Sequence, residues 1–138
     1  MKLTDFIVQN NVDMTPVRID ADNISGLESL LGIKFGTQLR KYILDYGYLG
    51  YEYCELYGVN GIQMEKSDMI VTTLRLHSRF PATKGLVVLE NYGDGDYYMV
   101  DGDDNVYRYI CETDELSKTE LKLFDYIVER FEFVKSTV

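Results

Sequence analysis

The stretch Gly85–Tyr109, GLVVLENYGDGDYYMVDGDDNVYRY, constrains the fold of this chain more than any other part. Apolar and aromatic runs alternate there with clusters of Gly, Asp and Asn, the pattern of strand, turn, strand, turn, strand. Gly85–Tyr92 reads as a strongly apolar strand. Asp96–Val100 and Val106–Cys111 read as a hairpin around the turn-rich Asp101–Asn105. Gly93, Gly95 and Gly102 are turn glycines, placed where the backbone takes positive φ. The segment also concentrates Glu90, Asp94, Asp96, Asp101, Asp103 and Asp104, with no Lys or Arg before Arg108. Tyr92, Tyr97, Tyr98, Tyr107 and Tyr109 lie between the acids. An acidic surface with interleaved tyrosines suits a basic protein partner better than a chemical reaction.

The N-terminal part reads as helices. Leu3, Phe6 and Ile7 share one helical face, Thr4 or a neighbour starts it and Asn10–Asn11 ends it. Thr15–Pro16 predicts an extended path across Val12–Arg18. Asp20, Asp22 and Asn23 offer capping oxygens to a second helix with Ile24, Leu27, Leu30 and Leu31 as its apolar face and Gly32 as its stop. Thr37 is placed to cap a third, in which Leu39, Tyr42, Ile43 and Tyr46 repeat at helical spacing before Gly47. Tyr48–Val59 reads as a strand, with Tyr51, Tyr53, Glu55 and Tyr57 on one face and Glu52, Cys54 and Leu56 on the other. Lys66–His77 stays open between helix and strand, because β-branched Ile70, Val71, Thr72 and Thr73 cluster there. Near the C-terminus, Ser117 and Glu120 have capping-box spacing, and Leu116 with Leu121 that of a hydrophobic staple. They predict a closing helix with Leu121, Phe124, Ile127, Val128 and Phe131 as its stripe. Helices, then antiparallel strands, then a helix define a single α+β domain over 1–138, with a mostly antiparallel or mixed sheet flanked by helices.

Charge narrows the function. The 138 residues carry a formal net charge of −9. That disfavours direct binding to nucleic acid, which needs Lys and Arg to displace counterions from phosphate. It favours fast, salt-sensitive association with basic partners, although solubility alone is the competing account. No apolar run is long enough to insert in a bilayer, and MKLTDFIVQNNVDM does not read as a secretory signal. The expectation is a cytoplasmic protein. Cys54 and Cys111 lie far apart in sequence; a disulfide stays open, with two half-buried reduced thiols the simpler reading.

Catalytic patterns are weak throughout. His77, the one histidine, sits in LRLHSRF with no nucleophile turn, and reads as a surface or loop residue. One His and two distant Cys give no zinc spacing. From Asp101 the chain mimics a calcium loop, with Asp103, Asn105 and Glu112 at ligand positions, but Val106 stands where that loop needs glycine. Solvated turn aspartates make a poor acid–base pair. No catalytic residue, metal or cofactor is therefore expected.

The order of motifs resembles the SUKH superfamily, which includes the yeast cell-wall regulator Smi/Knr, bacterial Syd and many immunity proteins of toxin systems. Ile24–Gly32, ISGLESLLG, matches its I-x-x-L-E-x-x-L-G helix. Phe35–Gly36 stand at its Leu-Pro link, and Leu39–Gly47 at the helix and turn that follow. Leu56–Tyr57–Gly58, the strand Gly85–Leu89, the turn and strand Gly93–Tyr98, and Phe124 in a C-terminal helix complete the pattern, over roughly Asp20 to Phe131. The chain departs from it at Gly36, where proline is usual, and in having no tryptophan. The resemblance implies a noncatalytic binding protein, most often one that neutralises a cognate, basic, nuclease-type toxin. The alternative it implies is a regulatory or scaffold protein docking on a cytosolic complex. The expected partner-binding residues are Glu90, Asp94, Asp96, Asp101, Asp103 and Asp104 for charge, and Tyr48, Tyr51, Tyr53, Tyr92 and Tyr98 as anchors. The loop Asp101–Asn105, expected to be less constrained by the fold than Asp94–Gly95–Asp96, is the first place to look for specificity.

Overall fold

The computed structural model describes residues 1–14, 19–59 and 68–138. The expected extended path through Thr15–Pro16 and the start of the segment at Lys66 lie outside them. Chain order is α1 (Leu3–Gln9), β1 (Asp13–Met14), α2 (Ala21–Leu31), α3 (Thr37–Asp45), β2 (Leu49–Tyr51), β3 (Cys54–Glu55), α4 (Met69–Arg79), a 3-10 turn at Pro81–Thr83, β4 (Val87–Gly93), β5 (Asp96–Val100), β6 (Asn105–Ile110), β7 (Glu115–Lys122) and α5 (Leu123–Thr137). The strands form a small sheet in the order β1-β2-β3 and a larger one in the order β4-β5-β6-β7. The pairings between these strands are antiparallel, with an isolated parallel bridge between Gly58 and Asp68, so the α+β architecture with flanking helices is as expected.

The larger sheet lies between helices. Consecutive side chains of a strand point to opposite faces, and Tyr97 and Tyr98 divide accordingly. Tyr98 packs on Tyr126 of α5, ring centroids 5.0 Å apart. Tyr97 pairs in register with Tyr109, whose ring lies 5.6 Å from Phe80 at the end of α4. α1 reaches the core through Phe6, which packs against Tyr51 at 5.2 Å and Phe131 at 5.7 Å. Tyr42 is fully buried, and its hydroxyl donates to the Tyr57 carbonyl at 2.7 Å while accepting from the Leu49 amide at 3.3 Å. A buried phenol with both a donor and an acceptor partner avoids the cost of an orphaned polar group.

Several local expectations hold. Asp20 caps α2 in a reciprocal box with Asn23, and Gly32 ends the helix at φ 69°. Leu30, however, is exposed and off its apolar face. The open segment before His77 is helical in α4, where the Asp68 carboxylate caps the amides of Ile70 and Val71. Tertiary packing overrides the β-branched propensity there: Thr72 and Thr73 are buried, and the Thr73 hydroxyl accepts from the Val88 amide at 3.0 Å. His77 sits in the last turn of α4, half-buried, with Nε2 2.7 Å from the Leu86 carbonyl. It is a tie between helix and strand rather than a free surface residue.

Two expectations are corrected. The tyrosine-rich segment is not one strand. It turns back at Glu52, φ 52°, so β2 and β3 pair as a tight hairpin. Tyr51 and Tyr57 are therefore buried while Tyr53 stands exposed. Nor does Ser117 start a helix. Residues 115–122 pair with β6, Arg108 opposite Ser117 and Tyr109 opposite Leu116, because the β6 backbone needs partners on that side. The helix begins only at Leu123, and its caps come from afar. The Leu123 amide donates to the Asp104 carbonyl at 3.0 Å, and the Phe124 amide to Gln38 Oε1 at 2.8 Å.

Candidate functional site

The expected acidic site is mostly turned inward. Asp104 is 6% exposed, and its carboxylate accepts from the amides of Gln38 at 2.9 Å and Leu39 at 3.0 Å. It caps α3 across 66 positions of sequence, in the place expected for Thr37. Gly36 makes room for it: a Cβ there would meet the Asp104 carboxyl carbon at 2.5 Å. The missing proline at the Leu-Pro link thus has a local cause. A Cβ on Gly102 would similarly lie 2.8 Å from the Lys34 carbonyl.

Asp101 organises the same loop. One oxygen accepts from the amides of Asp103 and Asn105, both at 2.9 Å, and the other from the Asn105 side chain at 3.2 Å and the Tyr107 hydroxyl at 3.0 Å. Burial pushes its carboxyl upward, but these donors outweigh it and hold the group below its ordinary value. The expectation of a loop weakly constrained by the fold is therefore corrected: Asp101–Asn105 joins β5, β6, α3 and α5. Asp96 is held by Arg108 in a two-pronged ion pair, 2.9 and 2.6 Å. Only Asp94 and Asp103 among the expected acids project exposed carboxylates without an ion pair among the described residues.

Glu90 is the sharpest correction. It is 3% exposed, not a surface charge. The Tyr126 hydroxyl donates to it at 2.5 Å, Arg130 Nε at 2.9 and 3.1 Å, and the Cys54 thiol at 3.5 Å. This buried network holds α5 on β4. Burial, reinforced by the Glu90 charge, pushes the Cys54 thiol up to about 12, which keeps it protonated and unreactive. Both cysteines are free; Cys54 is fully buried rather than half-buried, and Cys111 is partly exposed.

The expected tyrosine anchors also divide. Tyr51 is core. Tyr48 is half-buried, its hydroxyl pushed up to about 12 by burial and then by the charges of Glu55 and Asp13. Tyr53, 57% exposed, Tyr92, 47% exposed, and the half-buried Tyr98 converge on one face. Tyr92 meets Tyr98 edge-on at 5.5 Å, and Tyr98 in turn rests on Tyr126. Leu121 of β7 and Phe133 of α5, 54% exposed, complete a groove of about 240 Å³. A second, more polar groove adjoins it, formed by Tyr53, Glu55, Tyr57 and Asn91, and shares Tyr92 and Arg130 with the first. The Arg130 guanidinium stands between them, 4.8 Å from the Tyr92 ring centroid and 5.8 Å from that of Phe133. Glu55 and Glu129 lie on the rims and enter none of the ion pairs among the described residues.

Sequence reasoning missed Arg130, Phe133 and Glu129, because it read the last helix only as a core stripe. The signal was present: Phe133 is a large apolar residue off the stripe that Phe131 and Val134 continue. Chemically, the face offers stacked aromatic surface, one internally balanced cation and unbalanced acid at its edges. No group of three His, Cys, Asp or Glu side chains among the described residues could hold a metal ion. No helix among them is long and apolar enough to cross a membrane.

Compared with known proteins, the chain matches over residues 3–132 a family described as SUKH_5, SMI1-KNR4 cell-wall. A comparison with curated proteins found no match.

Proposed function

Because the chain belongs to the SMI1-KNR4 cell-wall family, we propose that it is a noncatalytic binding protein of the immunity type, which neutralises a cognate toxin by covering it with the Tyr53–Tyr92–Phe133 face. The observation that carries this reading is the exposed aromatic groove with Glu55 and Glu129 on its rims, in no ion pair among the described residues. Rigid aromatic side chains supply contact area at low entropy cost, and they are enriched where binding energy concentrates. The net charge of −9 adds steering toward a basic partner. Nuclease toxins fit that description, since they must bind phosphate. In this reading the protein acts in the cytoplasm, where such a toxin meets its substrate.

Co-expression with the product of the adjacent gene tests it. The expected outcome is that the product alone arrests growth, that this chain restores it, and that the two co-purify. Tyr92→Ala should weaken the complex by about 2 kcal/mol, the loss typical of a central aromatic anchor. A harmless product, or one this chain neither binds nor counters, would sink the reading. The family's cell-wall description favours a second reading, a regulatory protein docked on a cytosolic complex. Recovery of such a complex by direct pull-down, with Tyr92→Ala abolishing it and no toxin involved, would put that reading first.

A further inference from the structure

The two adjoining grooves differ in chemistry, and the difference points to a particular occupant. The first, of about 240 Å³, is lined mainly by Tyr92, Tyr98, Leu121, Tyr126 and Phe133. That space suits one apolar side chain. The second is lined by Glu55 together with Tyr53 and Tyr92. Arg130 displays the chemistry the surface supports: its guanidinium stacks near Tyr92 and Phe133 while Nε donates to Glu90. Because Glu90 balances Arg130, the charges of Glu55 and Glu129, which enter no ion pair among the described residues, are left for an incoming cation.

We propose that the grooves receive an arginine-bearing basic segment of the partner, laid across Tyr92. An apolar side chain of that segment sits on Tyr98, Tyr126 and Leu121, and a neighbouring guanidinium meets Glu55 and the Tyr53 ring. Arginine fits better than lysine because its planar, weakly hydrated fork both stacks on tyrosine and pairs with carboxylate. This inference rests on the protein-binding reading above, but it concerns the chemistry of the contact rather than its biological purpose.

The test is a chemical-shift titration of the full chain with the acetylated, amidated peptides Arg-Leu-Arg, Lys-Leu-Lys and Glu-Leu-Glu. The arginine peptide should shift the amides of Tyr53, Tyr92 and Leu121 and bind about threefold tighter than the lysine peptide. The glutamate peptide should shift none of them. Glu55→Gln, at an exposed side chain, should weaken the arginine peptide without altering the melting temperature, and Tyr53→Ala should weaken it at the further loss of only the exposed 2.7 Å hydroxyl contact with Thr137 Oγ1 at the end of α5. Equal affinity for the lysine peptide, shifts confined to the Asp94 and Asp103 turns, or no shift at millimolar peptide would overturn the proposal. The two readings fail differently. If the adjacent-gene product binds wild type and Tyr53→Ala equally, the groove is wrong and immunity stands. If the arginine peptide binds as expected but that product does not bind, immunity is wrong and the groove stands.

Discussion

The loop Asp101–Asn105 and the groove residues Tyr92 and Tyr98 lie in one acidic, tyrosine-rich stretch of sequence, yet the two regions do opposite things in the fold. The loop turns its carboxylates inward: Asp104 caps α3, and Asp101 gathers the backbone and the Tyr107 hydroxyl. The groove turns the rings of Tyr53, Tyr92 and Phe133 outward and leaves Glu55 and Glu129 without an ion pair among the described residues. Acid density along a chain therefore does not measure acid available to a partner. What separates the regions is unsatisfied backbone. Helix N-termini at Thr37 and Leu123 need acceptors, and the loop is the element that reaches both.

The comparison breaks most readily at Glu90, which was expected to face a partner and instead holds α5 on β4. Glu90→Ala should cost about 3–5 kcal/mol in urea denaturation, because it strands a largely buried Arg130 and orphans the Tyr126 hydroxyl. Unchanged stability with weakened partner binding would return Glu90 to the surface role. Next in size is Asp104→Ala, which removes both caps from α3 and should cost about 2 kcal/mol. Gly36→Ala should cost a similar amount, since its Cβ displaces the same carboxylate. The double variant should then lose little more than either single one, the signature of two changes acting through one contact. Full additivity would mean that Gly36 and Asp104 are not a unit.

How much of this was legible follows the range of each interaction. The Asp20–Asn23 box, the Gly32 stop, the β4–β5–β6 meander and the core faces of α3 rest on neighbours in sequence, and local pattern finds them. The start of α5 does not. Ser117 and Glu120 have the right spacing for a cap, but strand pairing with β6 outweighs it, and Gln38 supplies the cap from another helix. Glu90 and Asp104 resemble any solvated acid until Arg130, Tyr126 and the α3 amides are brought to them. The aromatic face was half legible: Tyr53, Tyr92 and Tyr98 belong to it, whereas Tyr51 fills the core because the chain reverses at Glu52.

The smallest expected effect separates steering from architecture. Asp94 and Asp103 are the exposed members of the acidic stretch that enter no ion pair among the described residues, so Asp94→Asn and Asp103→Asn should each change stability by no more than about 0.5 kcal/mol. The Asp103 contact to Lys122 Nζ uses the backbone carbonyl, and the substitution leaves it in place. Any consequence should appear in association kinetics instead. With the partner bound at low salt, the double variant should lower kon while leaving koff nearly unchanged, and the difference should fade as salt approaches physiological strength, where the screening length is about 8 Å. A change in koff that survives high salt would place these turns inside the contact itself, and would move the binding surface from the Tyr92 groove toward the acidic loops.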